Sequence, residues 1–159
     1  MTKGVRCWRI AADTPLYFAN DLNGEGARIT GGRWNRSGTP LIYASSSRAL
    51  ACLETIVHLA GEVALPLNRY LIEITVPESG WKRRRVFAPD EHVGWDALPA
   101  GRTSLDWGTR WAEDCETLIV EVPSIVVPEE TNILINPRHR DISSITARKV
   151  RRWNYGMRL

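Results

Sequence analysis

Short apolar runs, each bounded by turn residues, are the feature of this sequence that most restricts its fold. Five runs are predicted to be strands, at residues 5–10, 41–44, 70–76, 117–122 and 131–135. Prolines at 77, 123 and 137 end three of them, because proline cannot donate a hydrogen bond within a sheet. The strands and helices do not alternate regularly, so the sequence predicts one compact α+β domain rather than a doubly wound parallel sheet.

Two helices are predicted between these runs, the clearer one over residues 47–60. Ser45 or Ser46 is predicted to cap its beginning, and Gly61 to end it. Apolar residues follow the spacing of one buried helix face at Ala49, Leu50, Leu53, Ile56, Val57 and Ala60. The second helix is predicted over residues 103–115.

Length and composition fit an ordinary globular chain. The 159 residues suit a single domain over 1–159, and hydrophobic residues make up 43% and charged residues 25%. No apolar run approaches the roughly 20 residues that cross a bilayer, and the first residues lack the apolar stretch of a signal peptide. We therefore expect a cytoplasmic protein without membrane contact.

Cysteines and histidines give no sign of a disulfide framework or a metal site. The three cysteines, Cys7, Cys52 and Cys115, lie far apart and form no CxxC pair. The three histidines, His58, His92 and His139, show no ligand spacing around them. We expect reduced thiols packed in or near the core, and no bound metal.

The net charge of +3 is concentrated in two basic runs, at residues 82–85 and 148–152. With Trp81 and Trp153 beside them, these runs resemble a surface that contacts nucleic-acid phosphates. No nucleic-acid-binding motif accompanies them, however, and charge runs are more often solvated faces. We expect no direct nucleic-acid binding.

A glycine-rich segment between residues 24 and 38 is the first candidate for a ligand site. Its glycines allow a close backbone approach, and Arg28 and Arg33 offer planar forks for phosphate oxygens. Together they are able to seat a pyrophosphate, although the third glycine of GxGxxG is replaced by Ile29 and no P-loop is present. The alternative is a surface turn with solvated arginines and a packed Trp34, which this segment alone slightly favours.

Three further side chains each have a structural and a functional interpretation. Tyr43 is either a packing residue or a flat face for a nicotinamide or adenine ring. Glu54 is either a solvated partner of His58 or a half-sheltered carboxylate that faces a cleft. Ser124 is a simple turn residue after a strand, and its functional interpretation as an acyl-transfer nucleophile is excluded by the absence of GxSxG. The later residues 132–139 are either a polar strand end with a turn or the edge of a site.

The order and spacing of these residues resemble the RES domain, the toxin half of RES–Xre toxin–antitoxin systems, which is named for an arginine, a glutamate and a serine. The matching stretches are GARITGGRWNRSGTPLIYAS, LACLETIVH, VPSIVVPEETNILINPRH and the closing WNYGMRL. They cover essentially the whole chain and place Arg33, Glu54 and Ser124 on the three name-giving positions. Residues 154–157 depart from the usual FDxRL-like ending, which affects the interpretation of the tail only.

The resemblance implies an ADP-ribosyltransferase-like fold, with central mixed or antiparallel sheets flanked by short helices, and chemistry on NAD+. Glu54, Arg33 and Tyr43 are the implied catalytic residues. Glu54 would stabilise the positive charge that develops on the ribose as nicotinamide leaves, and Tyr43 would stack on nicotinamide. Arg28 and Arg33 would bind the pyrophosphate or a ribose, and Ser124 would bond the nicotinamide ribose or its carboxamide. NAD+ is then a substrate, and no cofactor is permanently bound.

The acceptor of the ADP-ribosyl group decides the reaction, and the sequence does not select it. Water gives a glycohydrolase, phosphate a phosphorylase and a protein side chain an ADP-ribosyltransferase. We favour net NAD+ breakdown that arrests growth, with protein modification as the alternative and a non-catalytic antitoxin-binding relative as a further one. The resemblance also implies an Xre-type helix-turn-helix antitoxin that blocks the active site, with a homodimer possible within that complex.

Overall fold

The computed structural model describes residues 4–58 and 66–156, which form one mixed sheet with short helices around it. Within these residues the seven strands are β1 (Gly4–Ala12), β2 (Ile42–Ser45), β3 (Arg69–Pro77), β4 (Arg85–Val86), β5 (Ile119–Pro123), β6 (Thr131–Ile135) and β7 (Thr146–Arg152). Their order is β4-β5-β6-β2-β1-β3-β7. The β4–β5 pair is parallel and the other neighbours are antiparallel. The predicted α+β class with a mixed sheet is confirmed.

The helices are α1 (Glu25–Thr30), α2 (Arg48–His58), α3 (Glu78–Lys82) and α4 (Arg102–Asp114), and two short 3₁₀ turns lie at Pro89–Glu91 and Ile142–Ser144. Of the predicted helices, 103–115 matches α4 and 47–60 matches α2. The predicted end of the latter at Ala60 and Gly61 lies outside the described residues. With 6 and 5 residues, α1 and α3 are too short to show a helical period in the sequence.

The sheet opens between β1 and β2. These two strands share a single register pair, Trp8 with Ser45, whereas β1 pairs with β3 along its whole length. The opening matters for function because a cavity lies beside it, lined by residues of both β1 and β2.

Three apolar clusters hold the helices against the sheet. The largest joins Ile42, Ile74 and Ile135 beneath one face. A second, rich in aromatic residues, joins Trp111 of α4 and Trp34. The third packs α2 onto β1 through Trp8, Ile10, Ala51 and Leu71. Each fully buried side chain of this size contributes about 1.5–3 kcal/mol, so these contacts fix α2 on the sheet.

The predicted cap and buried face of α2 need correction. Ser47, rather than Ser45 or Ser46, caps the helix, because its Oγ accepts a hydrogen bond from the Leu50 N–H at 3.1 Å. Three residues of the predicted buried face are exposed: Ala49, Leu53 (42% exposed) and Val57 (51% exposed). The helix is instead turned so that Glu54 and Thr55 point into the protein, where both form hydrogen bonds.

The basic run at 148–152 is a strand that the sequence did not predict. It forms most of β7, an edge strand beside β3. Edge strands commonly carry charges that discourage pairing with another chain, so the usual apolar alternation is missing. The predicted strand over 117–122 is also shifted, since β5 begins at Ile119 and includes Pro123.

Most cations of the two basic runs have partners within the protein. The ion pairs with carboxylates are Lys82–Glu78 at 3.1 Å, Arg83–Asp141 at 3.6 Å, Arg84–Glu121, Arg148–Glu73 at 3.5 Å and Lys149–Asp13 at 2.8 Å. Arg85 and Arg151 lie over the rings of Trp107 and Trp153. These contacts give the basic runs a structural role.

The three cysteines lie in or near the core of the described part of the chain. Cys7 is buried, Cys52 and Cys115 are partly buried, and all three thiols are free there. Residues 4–58 and 66–156 hold no cluster of three side chains suited to bind a metal ion. None of the helices formed by these residues has the length and apolar character needed to cross a bilayer.

Candidate active site

A cavity of about 780 Å³ lies beside the opening of the sheet. This volume falls within the range of sites for small-molecule ligands. Its walls come from the segment between residues 17 and 34, from β2, from α2 and from residues 98–100. Three of the predicted site residues line it together: Arg33, Tyr43 and Glu54.

Two hydrogen bonds hold the carboxylate of Glu54. Its Oε1 accepts a hydrogen bond from Ser124 Oγ at 2.6 Å and another from Asn132 Nδ2 at 2.8 Å. Within the described residues no group donates to Oε2, although Glu54 lines the cavity. One oxygen is therefore fixed by the protein, and the other is free to face a ligand.

The Ser124 hydroxyl directs its proton to Glu54. Its oxygen accepts hydrogen bonds from the backbone N–H groups of Val126 and Val127 at 3.0 and 3.1 Å. A hydroxyl has one proton to donate, and here the acceptor is the carboxylate. Ser124 is completely buried and is not among the residues that line the cavity. Its predicted bond to the nicotinamide ribose or carboxamide stays a prediction.

Asn132 is a site residue that the sequence placed only in a segment interpreted as either a polar strand end or the edge of a site. It lies on β6 opposite Ser45 of β2, and its Oδ1 accepts a hydrogen bond from Ser45 Oγ at 2.8 Å. This bond turns the Asn132 amide so that Nδ2 points to Glu54. The signal in the sequence was a polar residue, Asn132, within the apolar run at residues 131–135.

The C-terminal segment contacts α2 next to Glu54. The hydroxyl of Tyr155, which is 8% exposed, donates to Thr55 Oγ1 at 2.8 Å. Thr55 follows Glu54 directly, so this bond supports the orientation that brings the carboxylate to the cavity.

Tyr43 clamps the segment that carries Arg33. Its hydroxyl donates to Asn35 Oδ1 at 2.5 Å and accepts from the Trp34 N–H at 3.0 Å. Burial raises the pKa of Tyr43, so the hydroxyl keeps its proton at neutral pH and remains a donor. A side chain at Gly32 would place its Cβ 2.7 Å from the Tyr43 hydroxyl, which explains a glycine there. Tyr43 is the second residue of β2, which ends at Ser45 and not at the predicted Ala44.

Arg33 is held at the cavity by the loop before α4. Its Nη1 donates to the backbone carbonyls of Trp95 and Ala97 at 3.0 and 2.9 Å. Partial burial lowers the pKa of Arg33, while the negative charges of Glu54 and Asp96 act in the opposite direction. The charge of Arg33 therefore interacts with that of Glu54, the catalytic candidate.

Arg28 is not brought together with the other predicted site residues. Its guanidinium is paired with Glu25 three residues earlier on α1, and this hydrogen bond raises the pKa of Arg28. Arg28 is also not among the residues that line the cavity. Its predicted contact with a pyrophosphate stays a prediction.

A different arginine lines the cavity, Arg9 at the centre of β1. The sequence analysis did not single it out, because the run around it was interpreted only as a strand. A charged residue within the otherwise apolar Cys7–Ala11 stretch was the available signal.

Comparisons with known proteins cover nearly the whole chain. The model of the RES domain family matches residues 6–157. The chain is 56% identical over 153 residues to a Prs ADP-ribosylating toxin of Sphingobium sp. (strain YBL2), covering 96% of this chain and 94% of that protein. It is 38% identical over 128 residues to Toxin Res of Yersinia enterocolitica, covering 80% and 82%. It is 36% identical over 138 residues to Toxin Res of Pseudomonas putida, covering 86% and 88%.

Proposed function

Because this chain belongs to the RES-domain family of toxins, we propose that it is an enzyme that breaks the bond between nicotinamide and ribose in NAD+. The observation that carries the proposal is the Glu54 carboxylate, fixed by Ser124 and Asn132 at a cavity of about 780 Å³. NAD+ is the substrate in this proposal rather than a resident cofactor.

The chemistry needs a carboxylate close to the ribose. When the C–N bond breaks, its electron pair leaves with nicotinamide and the ribose carbon becomes positively charged. A negative charge beside that carbon stabilises the transition state more than the ground state, which lowers the barrier. An acceptor then bonds to the ribose carbon. Water or a side-chain nucleophile releases a proton to solvent in this step, whereas phosphate bonds through an oxygen that is already negatively charged. Glu54 is the residue proposed to supply the negative charge.

The contacts of Glu54 support this role because they hold the carboxylate before substrate binds. A charge that is already oriented needs no reorganisation as the reaction proceeds. We assign Ser124 as a positioning residue that acts through Glu54, since its hydroxyl is buried and bonded to that carboxylate. Asn132 has the same role from the neighbouring strand.

Arg33 and Tyr43 are proposed to contact the dinucleotide directly. With Nη1 bonded to two carbonyls, the other N–H groups of Arg33 remain to bind a ribose or phosphate oxygen. The Tyr43 ring lines the cavity while its hydroxyl is used by the protein, so the ring face is the part proposed to pack against nicotinamide. Arg28 is a weaker candidate because Glu25 already satisfies its charge.

A second candidate function concerns the acceptor. The sequence favoured net NAD+ breakdown by water or phosphate. The Sphingobium relative, however, is named a Prs ADP-ribosylating toxin. At 56% identity over nearly the whole chain, that relative supports transfer of ADP-ribose to a protein side chain. Both functions share the cleavage step and the same role for Glu54.

One experiment tests the cleavage and identifies the acceptor. The purified chain is incubated with NAD+ in buffer alone, with inorganic phosphate, and with purified Prs, and nicotinamide is measured together with the fate of ADP-ribose. We expect nicotinamide release in at least one of the three reactions. Free ADP-ribose indicates water, a phosphorylated sugar indicates phosphate, and a mass increase of Prs indicates protein modification. No release in any reaction would contradict the proposed function.

The toxin relatives imply an antitoxin partner, and we propose that an Xre-type helix-turn-helix protein covers the cavity. Apolar side chains at its edge support this, since Phe18, Val57 and Leu98 line the cavity and are 66%, 51% and 77% exposed.

We expect Leu98→Asp to weaken inhibition by the antitoxin. Val93→Asp, at an exposed position that does not line the cavity, is expected to leave inhibition unchanged. A homodimer, the absence of nucleic-acid binding and a cytoplasmic location stay predictions.

A further inference from the structure

A glycine in the middle of α4 marks a very close contact between this helix and the turn that carries Arg33. Glycine within a helix is unfavourable relative to alanine, so the buried Gly108 needs a reason in the packing. A Cβ at this position would lie 1.9 Å from the carbonyl oxygen of Trp34 and 2.7 Å from its carbonyl carbon. Because both atoms belong to the backbone, neither can turn aside as a flexible side chain would. The backbone of α4 therefore lies directly against the residue that follows Arg33.

A second contact ties α4 to the same turn two residues later. The Arg36 N–H donates a hydrogen bond to Thr109 Oγ1 at 3.0 Å. The guanidinium of Arg36 also donates to Asp106 Oδ1, from Nε at 2.9 Å and from Nη2 at 2.6 Å. These two side chains are 49% and 57% exposed, so their ion pair contributes little. The contacts that Gly108 and Thr109 make with the backbone are the ones that hold the turn.

Trp34 is also held on its other sides. Its N–H donates to the Tyr43 hydroxyl at 3.0 Å, and its ring is 2% exposed. The ring packs edge to face against Trp107 of α4, with the two centroids 6.0 Å apart. The N–H, the ring and the carbonyl of Trp34 are thus each in contact with the protein. The backbone from which the Arg33 side chain starts is fixed in this way.

The far end of the Arg33 side chain depends on the same helix. Its Nη1 donates to the carbonyls of Trp95 and Ala97, in the loop that leads into α4 at Arg102. Of the described residues that line the cavity, none belongs to α4 itself. The helix therefore acts on the cavity only through the segments that it holds.

We infer that Gly108 and Thr109 are positioning residues that set the place of Arg33 at the cavity. The inference rests on the proposed function, in which Arg33 binds a ribose or phosphate oxygen of NAD+. A guanidinium bonds such oxygens only when its planar fork is correctly oriented, so a shift of about 1 Å in the turn is enough to weaken the contact. Gly108 permits the close approach of the helix, and the Thr109 hydroxyl holds the turn against it.

Steady-state kinetics of nicotinamide release at varied NAD+ tests the inference, together with the Tm of each variant. We expect Gly108→Ala to lower kcat/KM by about 10- to 100-fold, mainly through a higher KM, because the added Cβ displaces the turn. Thr109→Val, which loses one hydrogen-bond acceptor, is expected to lower it by about 3- to 10-fold. Thr109→Ser keeps the hydroxyl and is expected to recover most of that loss.

Two matched controls carry the same changes elsewhere. Gly80→Ala in α3 places its Cβ 3.6 Å from the nearest neighbouring atom, which is an ordinary contact. Thr146→Val lies at an exposed position of β7. We expect both controls to keep the kcat/KM of the unmodified chain.

A double-mutant cycle shows whether the two residues act through Arg33. Arg33→Lys keeps the charge and removes the planar fork. In this background we expect Gly108→Ala and Thr109→Val to lower kcat/KM by no more than about twofold, because the contact that they support is already lost. Losses by the same factor in both backgrounds, or unchanged kinetics of Arg33→Lys alone, would overturn the inference.

A role in folding alone gives a different result. A lower Tm with unchanged kcat/KM would show that α4 only supports the fold, and it would overturn the inference. Should Gly108→Ala fail to fold, Thr109→Val decides the matter, with Thr109→Ser as its rescue. A loss in Thr109→Val that Thr109→Ser does not recover would not come from the hydroxyl and would also contradict the inference.

The same measurements distinguish failure of the inference from failure of the proposed function. If the unmodified chain releases no nicotinamide with water, phosphate or Prs as acceptor, the proposed function is wrong and the inference falls with it. If the unmodified chain releases nicotinamide and the variants at Gly108 and Thr109 do so with the same kcat/KM, only the inference is wrong.

Discussion

The Ser124 hydroxyl has one proton, and its contacts determine where that proton goes. Two backbone N–H groups occupy its oxygen, so the proton points to Oε1 of Glu54. Asn132 donates to the same oxygen and is itself oriented by Ser45. The site therefore depends on a short chain of hydrogen bonds from neutral donors that ends at one carboxylate.

Ser124→Ala removes one donor from Glu54 and leaves the N–H groups of Val126 and Val127 without their acceptor. We expect kcat for nicotinamide release to fall about 10- to 100-fold, because the carboxylate loses its fixed orientation, with a smaller change in NAD+ affinity. Steady-state kinetics with NAD+ separates the two effects. Ser124→Thr, which keeps the hydroxyl, is expected to recover part of kcat. A loss confined to KM would instead indicate a direct contact between Ser124 and the substrate.

Tyr43 combines a ring for the ligand with a hydroxyl for the fold, and two substitutions separate these parts. Tyr43→Phe removes the bonds to Asn35 and Trp34, so we expect a stability loss of about 1–2 kcal/mol with KM nearly unchanged. Tyr43→Ala also removes the ring, and we expect KM for NAD+ to rise. Thermal unfolding and steady-state kinetics measure both quantities. An equal rise in KM for both variants would show that the hold of the hydroxyl on the segment with Arg33, and not the ring, supports NAD+ binding.

At this scale the sequence predicted which residues lie together better than what each of them contacts. Arg33, Tyr43 and Glu54 do share the cavity, and Ser124 does lie beside Glu54. Arg28 was predicted beside the ligand, but the sequence gave no helix at α1 and so did not place Glu25 within its reach. Arg9 was missed because its place at the cavity depends on how the strands are arranged.

Among the elements, α2 shows what apolar periodicity predicts correctly and what it does not. The apolar spacing predicted the helix correctly, but it placed Ala49, Leu53 and Val57 on the buried side, and all three are exposed. The observed rotation buries Leu50 and Ala51 and is supported by polar contacts, one of which comes from a residue 100 positions away in the chain. Such a contact leaves no periodic signal in the helix itself.

Tyr155→Phe tests the contact that supports the rotation of α2. Loss of the hydrogen bond to Thr55 is expected to cost about 1 kcal/mol, which corresponds to a decrease in Tm of about 2–4 °C for a chain of this size. We also expect a moderate loss of kcat, because Glu54 follows Thr55 on the helix. Differential scanning calorimetry and nicotinamide release measure the two effects. An unchanged Tm and kcat would show that the C-terminal segment does not position the helix.

For the whole molecule, the opening between β1 and β2 determines where a ligand can bind. It follows from a strand order in which β2 pairs with β6 and β1 with β3, and that order was not predictable from local patterns. The edge strand β7 is tied to the wall of the cavity through Asp13. This carboxylate accepts from Lys149 of β7 at 2.8 Å and from the Ala19 N–H at 2.8 Å.

The Asp13 contacts predict a pH dependence of stability. The hydrogen bond from Lys149 and that from Ala19 lower the pKa of Asp13 below its ordinary value of 3.8. The contribution is therefore complete above that value and is lost as the pH falls through the lower pKa of the folded state. We expect Asp13→Asn to be less stable than the unmodified chain at pH 7, and the difference to shrink below pH 4, as measured by urea unfolding. A difference that is constant with pH would contradict this assignment.

The central claim is that the Glu54 carboxylate drives cleavage of NAD+, and the most direct test compares nicotinamide release by the unmodified chain and by Glu54→Gln. Glutamine keeps the shape and removes the charge, and Glu113→Gln, an exposed position on α4, is the matched control. We predict that Glu54→Gln loses at least about 100-fold in kcat while it still binds NAD+, and that the control is unchanged. Nicotinamide release by Glu54→Gln at the rate of the unmodified chain would contradict the account.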